Sequence, residues 1–269
     1  MTITRRREGR RCGEGELLAR RLAAPRDAEH AASGDVRGDV RAPLRYHSVD
    51  MDDRSRAGAA PLLIAEDLRV RRGGRVVLAR CDLRLDPGIT VLRGANGSGK
   101  SSLLKALAGI LSIAAGRVVI AGHDLEAAPE DARRMIGYVP ETPDLFPYLS
   151  PRELLEVVAE LRGGVVDEAL EVMAALGLAG REDERIATLS LGQRRKVTIA
   201  AAACGAPRVL FLDEPFNGLD VDALAALRAL LRGWSAEGRA VLIATHDLAP
   251  LGELAVKVVA LRDGAVAAT

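Results

Sequence analysis

Eight residues constrain this chain more than any others: Gly94-Ala95-Asn96-Gly97-Ser98-Gly99-Lys100-Ser101, an instance of G-x-x-x-x-G-K-[ST]. The pattern works only where an apolar strand runs into a glycine-rich turn that opens a helix, because backbone N–H groups must converge on an anion at the positive end of that helix. The flanks supply this context. Residues 89–92 read Ile-Thr-Val-Leu, and Leu103, Leu104, Leu107 and Ile110 recur at helical spacing. Lys100 can then reach the outer phosphates of a nucleotide, and Ser101 can ligate a divalent cation.

The remaining patterning builds an α/β domain around that turn. Short apolar runs at 62–70, 75–79 and 81–85, with Gly73-Gly74 between the first two, read as an antiparallel β portion. Residues 151 to about 205 read as helices. Ser150 and Glu153 form a capping-box pattern, Pro151 suits the first helical position, and Leu154, Leu155, Val158 and Leu161 are expected on one face. A second helix is expected to turn Leu170, Met173 and Ala174 inward and to stop at Gly177. Strands at 209–212, 240–245 and 256–260, with a helix over 221–234, complete a mainly parallel sheet covered on both faces.

The first sixty residues have a different texture, with 13 Arg, 10 acids and no sustained period. Residues 1–60 are expected to be disordered, since they cannot bury enough apolar surface to offset their ordering entropy. They read as an extension of the folded domain at 61–269, with Met51 as an alternative beginning, or as a basic arm touching anionic lipid. The charged start leads only to a short apolar patch at 17–24, unlike a secretory signal.

Charge and cysteine content exclude several classes of function. A net charge of +1 argues against nucleic acid as a partner. Cys12, Cys81 and Cys204 are too widely spaced for a zinc site or a disulfide framework, which points to a reducing compartment. Stretches without charge, such as 197–207, span 11 residues, against the ~20 that a membrane-crossing helix needs. A role in transport would therefore require a separate membrane partner.

Two further groups carry chemistry. Val209-Leu210-Phe211-Leu212-Asp213-Glu214 is an apolar run ending in two carboxylates, and strand ends of a parallel sheet face the ligand. Asp213 is expected to hold Mg²⁺ through water and Glu214 to polarise an attacking water. His246 comes directly after the strand at 240–245, again at a C-terminal end, whereas His30, His47 and His123 have no such context.

With Leu189-Ser190-Leu191-Gly192-Gln193 and Asn217-Gly218-Leu219-Asp220 added, the order and spacing of these elements resemble those of the ATP-binding cassette family over roughly residues 62–269. The resemblance implies a P-loop NTPase core with an inserted helical subdomain at about 141–205. It implies ATP and Mg²⁺ as ligands, with Gly94, Asn96, Gly97, Ser98, Gly99, Lys100, Ser101 and Ser102 on the nucleotide. Ser190, Gly192 and Gln193 would serve as the signature that contacts ATP held by a second subunit, most simply an identical one. Asp220 would belong to the loop coupling the two sites. Lys100, Glu214 and His246 would be catalytic, with His246 on the γ-phosphate. The family's setting implies a polytopic membrane permease as partner and a place on the cytoplasmic face of the membrane. An exporter-type ATPase subunit is the leading reading; a soluble ATP-dependent clamp on DNA or the ribosome is the alternative.

Three positions depart from the family pattern. Leu191 replaces a signature glycine. Glu141 stands where a glutamine usually senses Mg²⁺ and water, and a carboxylate there can also meet the metal. Arg72 stands where an aromatic usually stacks on adenine, and a guanidinium plane can stack too. Phe146 and Tyr148, in a loop, read either as packing for the helices or as the seat of a short helix from the membrane partner.

Overall fold

The computed structural model describes residues 60–268. Strands β1 (Leu63–Arg72) and β2 (Arg75–Leu85) pair as an antiparallel hairpin about Gly73-Gly74. β3 (Gly88–Arg93) runs into the phosphate loop and α1 (Lys100–Leu107). The order continues as β4 (Ala115–Ile120), β5 (His123–Asp124), α2 (Pro129–Arg134) and β6 (Ile136–Val139). Next come α3 (Pro151–Arg162), α4 (Asp167–Met173) and α5 (Leu191–Ala203). The chain closes with β7 (Val209–Asp213), α6 (Val221–Ala236), β8 (Ala240–Ala244), β9 (Lys257–Arg262) and β10 (Ala265–Ala268).

The ten strands form one sheet in the order β5-β4-β1-β2-β10-β9-β3-β8-β7-β6. Strands β9, β3, β8, β7 and β6 pair in parallel, while β1, β2, β4 and β5 pair antiparallel. Alternation across the parallel strands fills two cores. Leu210, Leu212, Val241 and Ile243 join the cluster under α4, α5 and α6, whereas Val209, Phe211, Ala240 and Leu242 join the cluster that includes α1 and the antiparallel strands. Each fully buried Val, Leu or Phe contributes on the order of 1.5–3 kcal/mol, so a β7 buried along its whole length anchors the sheet.

Several expectations are corrected in detail. The runs at 75–79 and 81–85 are one strand, because no turn residue separates them and β10 continues the ladder at Arg80, opposite Ala265. The first helix stops at Leu107 and Gly109 turns at φ 68°, which leaves Ile110 exposed. On α3 the buried face is Pro151, Leu154, Leu155 and Ala159, with Val158 partly buried; Leu161 lies about a quarter turn round the helix from its centre and is 74% exposed. On α4 the inward residues are Ala169, Val172 and Met173, with Leu170 partly buried against the same core as expected, while Ala174 faces out; Gly177, at φ 80°, does end the helical run. The segment from β4 to β6 and the closing strand β10 were not anticipated. The expected capping box of Ser150 with Glu153 is present, and α5 starts with another, Ser190 with Gln193. The expectations for residues 1–59, including His30, His47 and Cys12, lie outside the described residues.

Candidate functional site

Register brings the site together. Leu92 of β3 and Asp213 of β7 both pair with Ala244, the last residue of β8, so the three parallel strands end within a residue of one another. The residues just beyond these strands therefore meet at one edge: the phosphate loop after β3, Thr245 and His246 after β8, and Glu214 after β7. Val139 pairs with Leu212, which brings Pro140 and Glu141 alongside.

The phosphate loop has the backbone that its sequence requires. Gly97 and Gly99 sit at φ 79° and 102°, a region that side-chain-bearing residues rarely adopt. Lys100 is buried, and its Nζ donates to the carbonyls of Gly94 at 2.8 Å and Ala95 at 3.2 Å, closing the turn on itself. Above the loop lies a cleft of about 1320 Å³, lined by Val76, Val77, residues 94–98, His246 and Arg262. Arg72 is not among its lining residues but pairs in register with Arg75, which is.

Glu214 is held on every side. Its backbone lies in the left-handed region at φ 46°, a strain of order 1–3 kcal/mol that the surroundings must impose. The Glu214 N–H donates to the Ala244 carbonyl at 2.8 Å. Thr245 Oγ1 donates to Oε2 at 2.9 Å, the His246 N–H donates to Oε1 at 3.1 Å, and His246 Nδ1 lies 2.9 Å from the same Oε1. With Nδ1 turned to Glu214, Nε2 is the nitrogen left for the cleft. The hydrogen bond and charge of Glu214 raise the His246 imidazole above its ordinary value.

Asp213 is 1% exposed, and neither carboxylate oxygen has a hydrogen-bond partner among the described residues. Burial pushes its carboxyl up, while the facing Ser101 hydroxyl works against that rise. Ser98 Oγ, in the phosphate loop, is likewise buried without a partner. Orphaned buried oxygens beside a phosphate cradle are what a hydrated divalent cation and a nucleotide would satisfy. The residues present thus fit Mg²⁺ and ATP, with Ser101, Asp213 and the exposed Glu141 as the oxygen donors.

The predicted signature lies elsewhere on the chain, at the start of α5. Ser190 Oγ accepts the Gln193 N–H at 3.2 Å, and Gln193 Oε1 accepts the Ser190 N–H at 2.8 Å. Gly192 packs so closely on the loop before α6 that a Cβ would stand 2.6 Å from the Gly218 carbonyl. Asp220 caps α6 through the Ala223 N–H at 2.8 Å and pairs with Lys196 Nζ at 2.7 Å. That Lys196 contact, chiefly, holds the Asp220 carboxyl below its usual range. The structure therefore gathers Gly94, Asn96, Gly97, Ser98, Lys100, Ser101, Asp213, Glu214 and His246 into one site, and Ser190, Gly192, Gln193 and Asp220 into a second cluster.

Sequence reasoning missed Thr245, Lys196 and Arg195. Thr245 had a signal, a hydroxyl at the strand end beside His246. Arg195 and Lys196 carry no local signal, and only packing reveals that both are buried.

Comparison with known proteins points one way. A family model described as ABC transporter matches residues 78–217. The chain is 34% identical over 213 residues to the uncharacterized ABC transporter ATP-binding protein YdbJ of Bacillus subtilis, covering 78% of this chain and 69% of that one. It is 36% identical over 193 residues to the cytochrome c biogenesis ATP-binding export protein CcmA of Cupriavidus necator, covering 71% of this chain and 85% of that protein. Other relatives are longer, the chain spanning 38% of one and 9% of another. A solved structure titled as the ATP binding subunit of an ABC transporter superposes with TM-score 0.70 at 32% identity, over 76% of this chain and 88% of its own.

Proposed function

The chain belongs to the ABC transporter ATP-binding family, and on that premise we propose that it hydrolyses ATP to energise transport through a separate membrane subunit. The observation that carries this reading is the Glu214 carboxylate, fixed by Thr245 and His246 at the edge where the phosphate loop begins. A base so oriented can accept the proton of a water aimed at the γ-phosphate. His246 Nε2 supplies a donor toward the same phosphate, and its raised basicity favours the charged form that would stabilise added negative charge. Lys100 leaves the loop carbonyls to meet the outer phosphates. Mg²⁺, held by Ser101, Asp213 and Glu141, would supply charge neutralisation at the phosphates when bound.

Two chains complete each site in this reading. The positive N-terminal end of α5, with Ser190, Gly192 and Gln193, meets ATP held by a second copy. Asp220 couples that contact to its own chain through Lys196. No helix among the described residues is long and apolar enough to cross a membrane. In this reading cargo passes through a polytopic permease, with this chain peripheral on its cytoplasmic side. Phe146 and Tyr148, exposed with ring centroids 5.9 Å apart, offer that permease an aromatic seat. The description of the Cupriavidus relative as an export protein favours export over import.

Glu214→Gln is the deciding experiment. It should keep ATP binding, abolish turnover and trap an Mg-ATP dimer detectable by light scattering. Retained turnover, or a variant that stays monomeric with Mg-ATP at high protein concentration, would overturn the proposal.

A further inference from the structure

Arg195 is a buried cation to which ATP hydrolysis, as proposed, gives no role. It lies in the second turn of α5 and is 5% exposed. A guanidinium taken out of water ordinarily pairs with a carboxylate, because the desolvation is otherwise uncompensated. Among the described residues no carboxylate pairs with it directly. Nη1 donates to the Glu214 carbonyl at 2.8 Å, and Nη2 donates to the Glu141 carbonyl. Burial pulls the guanidinium down from its ordinary value, and the negative charges of Glu141, Asp213 and Glu214 oppose that effect.

The two carbonyls belong to the residue that ends the β7 carboxylate pair and to the loop after β6. The planar fork of arginine can span both at once, which the single ammonium of a lysine cannot. The negative charges of Glu141, Asp213 and Glu214 all act on this guanidinium. One of them, Glu141, is an acid where the family pattern has a neutral amide, so this site holds an additional negative charge to balance. Ser190 caps the same helix, about one and a half turns toward its N-terminus. A rigid helix moves as a unit, so a shift at Ser190 is felt at the main chain of Glu214.

We propose that Arg195 is a positioning residue, tying α5 to the main chains of Glu214 and Glu141 so that engagement of Ser190 by a partner's nucleotide sets the base of this chain's own site, while its charge balances Glu141. The inference rests on the ATPase reading. It makes Arg195 the link between the signature cluster and the catalytic edge, beside the peripheral Lys196–Asp220 contact.

Steady-state ATPase of the full chain tests it, with melting temperatures measured in parallel. Arg195→Met should lower kcat by roughly tenfold or more, with KM for ATP changed by less than about threefold. Adding Glu141→Gln to Arg195→Met should recover about threefold or more of kcat, since the unbalanced charge is gone; a purely structural role would leave the loss unrecovered. Arg195→Lys, which keeps the charge and loses one carbonyl, should fall between the parent and the methionine variant, and it carries the test if the latter does not fold. Parent-like kcat in either variant, or a loss that Glu141→Gln does not relieve, overturns the role of Arg195 alone. An inactive parent chain overturns both this role and the ATPase reading.

Discussion

Glu214 Oε1 and His246 Nδ1 stand 2.9 Å apart, joining the residue after β7 to the second residue after β8. Thr245 closes the same carboxylate from the other oxygen at 2.9 Å. The base is thus aimed by its neighbours, and its backbone lies in the left-handed region at φ 46°.

Thr245→Val removes one of these donors without changing the side chain's shape. A buried hydrogen bond to a charged group is worth about 1.5–3 kcal/mol, so kcat for ATP should fall about ten- to hundredfold. KM should stay nearly constant, because the hydroxyl touches the base and not the nucleotide. Steady-state kinetics decide this, and a change confined to KM would count against it.

The His246 imidazole should titrate above the ordinary value near 6.5, since Glu214 favours its charged form. The ion pair's contribution to stability is therefore fully present below the unfolded value and is lost as pH rises through the higher native one. Ring-proton NMR should show the midpoint returning toward the ordinary value in Glu214→Gln. An unchanged midpoint would mean that the pair is not formed in solution.

Gly192→Ala places a Cβ 2.6 Å from the Gly218 carbonyl. The loop bearing Asp220 must then move, and the Lys196 contact with it. We expect a melting temperature lowered by only a few degrees, with Mg-ATP dimerisation weakened strongly when both are measured in the Glu214→Gln background. Dimerisation equal to that of Glu214→Gln alone would contradict the coupling.

The resemblance would put Arg72 at the base in place of an aromatic, although it does not line the cleft, and a guanidinium plane there would discriminate less among bases. ATP and GTP should therefore be turned over at comparable kcat/KM, and Arg72→Tyr should restore a preference for ATP. Strict ATP selectivity in the parent chain would remove Arg72 from the base site.

Changing Phe146 and Tyr148 to Ala should reduce recovery of the membrane subunit when the complex is purified from membranes. Both rings lie in an exposed loop remote in sequence from the phosphate loop, so the isolated chain should fold and melt as before. Undiminished copurification would assign that surface elsewhere.

Much of the fold was legible because its signals are local. The phosphate loop, the helix start at Ser150 and the stop at Gly177 are written in backbone preferences over a few residues. The stretch from β4 to β6 was not legible, since a two-residue strand and a six-residue helix carry no period to detect. Leu161 misled because an apolar residue at the edge of a helix face satisfies the spacing without being buried.

By itself the sequence determined which groups could bind phosphate, hold a metal or take a proton, because short-range chemistry dictates the turn, the caps and the acidic strand end. Tertiary structure alone decided their alignment: the near-level ending of β3, β8 and β7, the Thr245 and His246 grip on Glu214, and the burial of Arg195 and Lys196. Strand register and the desolvation of charge depend on contacts between residues far apart in the chain, and no local pattern encodes them.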